Sequence, residues 1–254
     1  MLDATRRGSR APHLVPREVR VALAAGAPSV NHMEQIAFDM GALLASAFPG
    51  LACHGPRLRE GGLVGRMRAG GEILFSEFGE QAWTLASVSG SDTVRGWGAM
   101  AVGAAEDLSL ADRLVLIRRY ADDPHFAVRE WAWLAVRPHI AREPADAIHL
   151  LGPWTADDSA NVRRFASEAT RPRGVWSVHI PALKRDPQLG LPVLEPLFQD
   201  PALYVQNSVG NWLNDASRSS PKWVRQICRQ IAAGGSTAGA RICRRGLRTL
   251  SAPA

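Results

Sequence analysis

A pattern that returns about every 34 residues constrains this chain more than any other feature. An acidic residue, a short gap and a Val-Arg or Val-Gln pair lead into small and apolar residues. The copies are Asp92 with Val94-Arg95, Asp122 with Val128-Arg129, Asp157 with Val162-Arg163, and Asp200 with Val205-Gln206. Val94 to Val128 and Val128 to Val162 are each 34 residues, and Val162 to Val205 is 43. A weaker fifth copy falls at Ala240-Arg241-Ile242-Cys243, 35 residues on. A period of this length with helical patterning means stacked helix pairs, each covering the face its neighbour leaves open. The expected fold is all-α, an α-solenoid.

The D…VR…A form of the pattern resembles a HEAT repeat. Each copy should hold an outer helix, an acidic turn acting as N-cap, and an inner helix starting near the Val. Pro124 and Pro201 are expected in the first turn of such helices, where a missing N–H does no harm. Residues 108–120 and 144–151 read as outer helices. The stretch 171–191 carries Pro172, Pro181 and Pro187 and accounts for the wider third spacing. Residues 1–16 read as a disordered basic tail, and 17–254 as a single HEAT-like domain with its clearest repeats over about 85–235. The glycine-dense stretch 55–72 reads as an irregular loop with no phosphate-binding fingerprint.

Aligning the inner helices on their Val separates two stripes. Phe165, Ala166 and Ala169 in one copy, and Ser208, Val209 and Trp212 in the next, have core spacing. Trp131 and Trp97 share the register of Phe165 and should be core too. The polar stripe carries Arg164, Glu168 and Arg171, then Asn207, Asn211 and Asn214, preceded by Glu130, Leu134 and Arg137 with Trp133 beside them. These trios should stand side by side on a concave, basic face. Taken alone, the Arg–Glu–Arg trio is better explained as a solvated, salt-bridged surface stripe. The Asn trio is harder to explain that way, because Asn is a poor helix former. Trp176 follows the third inner helix with no periodic partner, which favours presentation over packing.

The chain has a formal net charge of +6, and 28 of its 30 basic residues are Arg. That balance favours a polyanionic partner. Three cysteines without CxxC spacing point to reduced thiols in a cytoplasmic setting, and a DNA partner would make the protein nucleoid-associated. Scattered histidines and the lack of a nucleotide fingerprint lead us to expect neither metal nor cofactor. No apolar run approaches the roughly 20 residues needed to span a bilayer, and no secretory or transit pattern opens the chain.

The run Asn161-Val162-Arg163-Arg164-Phe165-Ala166-Ser167-Glu168-Ala169-Thr170-Arg171-Pro172-Arg173, ending in Trp176, resembles the signature of the AlkC branch of HEAT-like repeat alkylpurine DNA glycosylases, the AlkC/AlkD superfamily. The run 204–215 is similar to that family's following repeat, and 128–132 to its preceding one. Gln206 departs from the family's usual Arg. The resemblance implies a monomeric glycosylase that excises positively charged N-alkylated bases from duplex DNA, in base excision repair or resistance to alkylating agents. It implies Glu130 and Glu168 as catalytic carboxylates together with Trp176, and Trp133 and Trp176 as lesion-site aromatics. Arg171 and Arg173 would contact phosphates, joined by Arg129, Arg137, Arg163, Arg164, Asn207, Asn211 and Asn214 on the DNA-binding face. Two rivals share the fold: a protein that binds damaged or branched DNA without cutting it, and a protein–protein scaffold.

Overall fold

In the computed structural model, residues 6–251 are described, and every regular element among them is helical. Close contacts divide the chain into two compact units, Met1–Leu108 with Val115–Ala135, and Ser109–Leu114 with Val136–Ala254. The helices run α1 (Arg17–Ala24), α2 (His32–Ala37), α3 (Met40–Ala47), α4 (Leu63–Phe78), α5 (Gln81–Ser87), α6 (Asp92–Ala104), α7 (Leu110–Ala121) and α8 (Phe126–Arg142). They continue through α9 (Pro144–Leu151), α10 (Ala160–Ala169), α11 (Pro181–Arg185), α12 (Leu191–Leu194), α13 (Leu203–Ser217), α14 (Pro221–Ala233) and α15 (Thr237–Gly246). The outer helices expected at 108–120 and 144–151 are α7 and α9.

In the first unit, α6 packs on α4 and α5. Trp97 and Trp131 are fully buried, as their register predicts. The glycine-dense loop reading is wrong. Residues 49–58 form a 3-10 turn, and most of the rest belongs to α4. A Cβ on Gly70 would lie 2.3 Å from Trp97 Cδ1, and one on Gly71 2.4 Å from Met100 Cβ. These glycines let α4 lie close against α6. That is a packing role, which composition alone does not separate from a turn role. Of the stretch read as a disordered tail, residues 6–16 make contacts within the first unit, and residues 1–5 lie outside the described residues. Arg6 Nη1 pairs with Glu34 at 2.6 Å, Asn31 Nδ2 donates to the Ser9 carbonyl at 2.9 Å, and Val15 is buried.

In the second unit, α13 packs against α10 on one side and α15 on the other. Phe165, Ala166, Ala169, Ser208, Val209 and Trp212 are all buried. The proline-bearing insertion folds into a loop, α11, α12 and short 3-10 turns.

The acidic residue of the repeat is not the N-cap. Asp92 opens α6 directly after the Ser91 cap, and Asp123 (not Asp122), Asp157 and Asp200 stand two residues before the N-cap position, accepting the N–H of His125, Ser159 and Ala202 at 2.8–2.9 Å. Pro201 likewise precedes the cap rather than opening the helix. Ser91, Ser159 and Ser236 do the capping, accepting from Val94, Asn161 and Gly239.

The repeat arginine has a second task. Arg163 Nη1 donates to the carbonyls of Asp157 and Asp158, and its Nε and Nη2 grip Asp200 of the following repeat at 2.6 and 3.2 Å. Arg95 does the same with the carbonyls of Ser89 and Gly90 and with Asp123. The Asp-plus-Arg signature is thus a latch that ties one repeat to the next. Gln206 stands where the arginine would be and donates only to the Asp200 carbonyl at 2.8 Å. Gly234 stands where the next Asp would be, two residues before the Ser236 cap. Both halves of that latch are replaced together.

Candidate nucleic-acid interface

The polar stripe of α10, α13 and α15 is built by three inner helices in register within the second unit. Its centre is Glu168, 4% exposed. Oε1 accepts from Arg171 Nη1 at 2.6 Å, and Oε2 accepts from the Ser208 hydroxyl at 2.7 Å with Arg164 Nη2 at 3.5 Å. Burial acts to raise the Glu168 pKa. The charges of Arg164 and Arg171, with the two hydrogen bonds, outweigh burial and hold it below the usual carboxylate range. Arg171 also reaches Asp215 Oδ2 through Nε at 2.8 Å. Burial dominates at Asp215 and raises its pKa, with the Glu168 charge adding to the shift against Arg171. The Arg164 guanidinium stacks over the Tyr204 ring, 4.5 Å from its centroid.

Arg137 is 0% exposed. It donates through Nη1 to the Ala169 carbonyl at 2.9 Å, through Nε to Val178 at 3.0 Å, and through Nη2 to Arg171. Burial first, then the Arg171 charge, pushes its pKa down to about 10. Its grip, with the Ile180 N–H on the Pro172 carbonyl at 3.1 Å, closes the base of a loop over 172–180. At the tip Trp176 is 58% exposed with φ 57, the left-handed region that side chains rarely adopt. Val175 and Val178 are exposed beside it.

Several expected DNA contacts have other partners. Arg137 is a buried brace for the loop. Arg163 is a latch, and Arg129 donates to the carbonyls of Asp123 and Pro124 from the equivalent position. Arg171 lies between two carboxylates. Asn214 is buried and bonds Gly246, Thr249 and Arg248. Of the expected aromatics, Trp176 is presented. Trp133 is buried, its ring N–H donating to Glu130 Oε2 at 2.8 Å in the first unit. Arg173 is half-buried with an unpartnered Nε.

The pattern reading gave Asp215, Ser208 and Tyr204 no part in the site, and it misplaced the fifth repeat by one residue. The Ser236 cap puts Gly239, not Ala240, at the Val position, 34 residues after Val205. Arg241, Arg245 and Arg248 then continue the polar stripe, and Arg245 bonds Asn211 while Arg248 bonds Asn214. The Ser cap was the available signal.

Helix pairs in register, latched repeat to repeat, with a charged inner stripe and an exposed tryptophan loop, define an all-helical HEAT-like repeat protein. The model of the DNA alkylation repair enzyme family matches residues 128–230, the segment that holds the α10 and α13 parts of this stripe and the loop, but not α15. An uncharacterised Bacillus subtilis (strain 168) protein, YhaZ, is 46% identical over 96 residues, covering 38% of this chain and 27% of that protein. The Pseudomonas fluorescens alkylpurine DNA glycosylase AlkC, solved bound to DNA containing an abasic site analog, matches with a TM-score of 0.68 at 22% identity. That match covers 96% of this chain and 65% of that one. AlkD2 from Streptococcus mutans matches with a TM-score of 0.59 at 21% identity, over 82% of this chain and 100% of that one. The chain therefore spans about a quarter of its curated relative and 65% of AlkC. Its resemblance to the AlkC/AlkD superfamily holds in sequence pattern and in fold.

Proposed function

We propose that this protein is a DNA glycosylase that excises positively charged N-alkylated bases from duplex DNA. One observation carries the reading. Within the segment that matches the DNA alkylation repair family, an exposed tryptophan is held in a left-handed conformation on a braced loop that follows a buried, ionised carboxylate. An N3- or N7-alkylated base is already a good leaving group, and its departure builds oxocarbenium character on the deoxyribose. The step needs fixed negative charge and π-faces more than it needs a general acid. Glu130 and Glu168 are the carboxylates assigned to this step, able to stabilise that charge or orient the attacking water. Trp176 supplies a π-face to the lesion.

The test is release of free base from methylated duplex DNA, followed in single turnovers. Glu130→Gln should lower excision on the order of a hundredfold while duplex affinity persists. Full activity in the Glu130→Gln/Glu168→Gln double variant would end the assignment.

A second reading, DNA binding without excision, draws on one observation. The Glu168 charge is already matched by Arg164 and Arg171, and the Ser208 hydroxyl donates to it. Duplex binding without base release would establish it.

A further inference from the structure

Resting on the DNA reading above, we propose that the α13–α15 groove is a backbone phosphate clamp, in which Asn211 and Asn214 aim Arg245 and Arg248 without neutralising them.

The groove has a volume of about 440 Å³ and is lined by Asn207, Arg241, Arg244, Arg245, Arg248 and Ser251. Four guanidiniums face it and no carboxylate lines it. That separates these arginines from Arg163 and Arg171, whose charges meet Asp200, Glu168 and Asp215.

The positioning comes from neutral acceptors. Arg245 Nε donates to Asn211 Oδ1 at 2.7 Å, and Arg248 Nη2 donates to Asn214 Oδ1 at 3.0 Å. Asn214 is itself held through Nδ2 by Thr249 Oγ1 at 2.9 Å. A carboxamide oxygen accepts a guanidinium N–H as a carboxylate does, but it adds no charge. Each arginine is therefore oriented while its full positive charge stays available. With Nε occupied, Arg245 keeps both terminal nitrogens for the two-pronged geometry that suits phosphate. A Cβ on Gly210 would lie 2.8 Å from Arg245 Cβ, so the arginine stem rests against the α13 backbone. Arg241 adds a buried Nε with no hydrogen-bond partner.

The cluster is under electrostatic strain. Burial, then the charges of Arg248 and Arg171, with Arg241 behind them, lower the Arg245 pKa against the pull of Glu168. A phosphate seated there would relieve that repulsion and satisfy the open donors. The presence of Asn at 211 and 214 is thereby explained: there Asn aims arginine without cancelling it.

The experiment titrates the full chain with a short undamaged duplex and with its methylated counterpart, by fluorescence anisotropy across a salt series. Arg245→Ala/Arg248→Ala should weaken both by at least about tenfold at physiological salt. It should also reduce the slope of log K against log salt by about 2, one unit for each phosphate no longer held. Asn211→Asp keeps the arginine and its partner oxygen but adds a charge, and should reduce the slope by about 1. This second variant carries the test if the double alanine variant fails to fold. An unchanged slope in the folded variants, with the wild-type protein binding duplex normally, overturns the clamp and leaves the DNA reading standing. A wild-type protein that does not bind duplex overturns the DNA reading and the clamp with it.

Discussion

Arg171 lies between two carboxylates whose titrations run in opposite directions. The Glu168 pKa is held below its ordinary value of 4.5, so its contribution to stability is complete above that value and is lost as pH falls through the lower folded one. The Asp215 pKa is raised above 3.8, so its contribution is present below 3.8 and is lost as pH rises through the raised value. Glu168→Gln removes one partner of a buried, ion-paired group, and should lower the unfolding free energy at neutral pH by about 3–5 kcal/mol. The gap between wild type and variant should shrink as pH drops below 4.5, read by denaturant titration at several pH values. A constant gap would mean Glu168 carries no net charge linkage. At this scale the sequence was legible for type and register but not for direction. The i, i+4, i+7 spacing put Arg164, Glu168 and Arg171 on one face and left Trp176 outside the helical register. It could not say that Arg137, Arg163 and Arg171 turn their guanidiniums onto protein carbonyls and carboxylates. A pattern locates a side chain's origin, while its far end is decided by neighbours brought in from other repeats.

Among the elements, the latch makes the clearest claim. Arg163 and Asp200 are largely buried, with Arg163 also holding two carbonyls of the turn before its own helix. Arg163→Ala should destabilise the protein by about 3 kcal/mol in thermal or chemical unfolding, with Asp200→Ala similar. The double variant should lose less than the sum, because both changes remove one shared interaction. Neither should alter the salt slope of DNA binding, which separates a latch from a phosphate contact. The repeat elements were readable from Val-Arg because the latch itself demands those residues. The first eighty residues lack the signature and gave no such reading, and their α4 glycines imitate a loop while serving contact with Trp97 and Met100. The fifth repeat slipped by one residue because Ala240-Arg241 looks like Val-Arg.

For the molecule as a whole, formal charge overstates what is available to a polyanion. The chain carries 30 basic residues, yet several arginines are internal partners, and Arg173, Arg241, Arg244, Arg245 and Arg248 show no ion pair among the described residues. If those five meet phosphates, log K for duplex binding should fall against log salt with a slope of about −4.5, at roughly 0.9 per phosphate. A slope near zero would return the fold to the protein-scaffold reading. Stability should be much less sensitive to salt than binding, since the internal pairs are shielded from it.

The paired replacement at Gln206 and Gly234 bears on how such an array can be recombined. An Arg–Asp latch makes two neighbouring repeats interdependent: exchanging one strands a charge in the other. Gln206 asks nothing of the repeat that follows, because it closes on its own turn. The boundary after α13 is therefore the natural splice point, where helix pairs from a homologous protein could be grafted without orphaning an ion. A cut between α10 and α13 would leave Arg163 or Asp200 widowed.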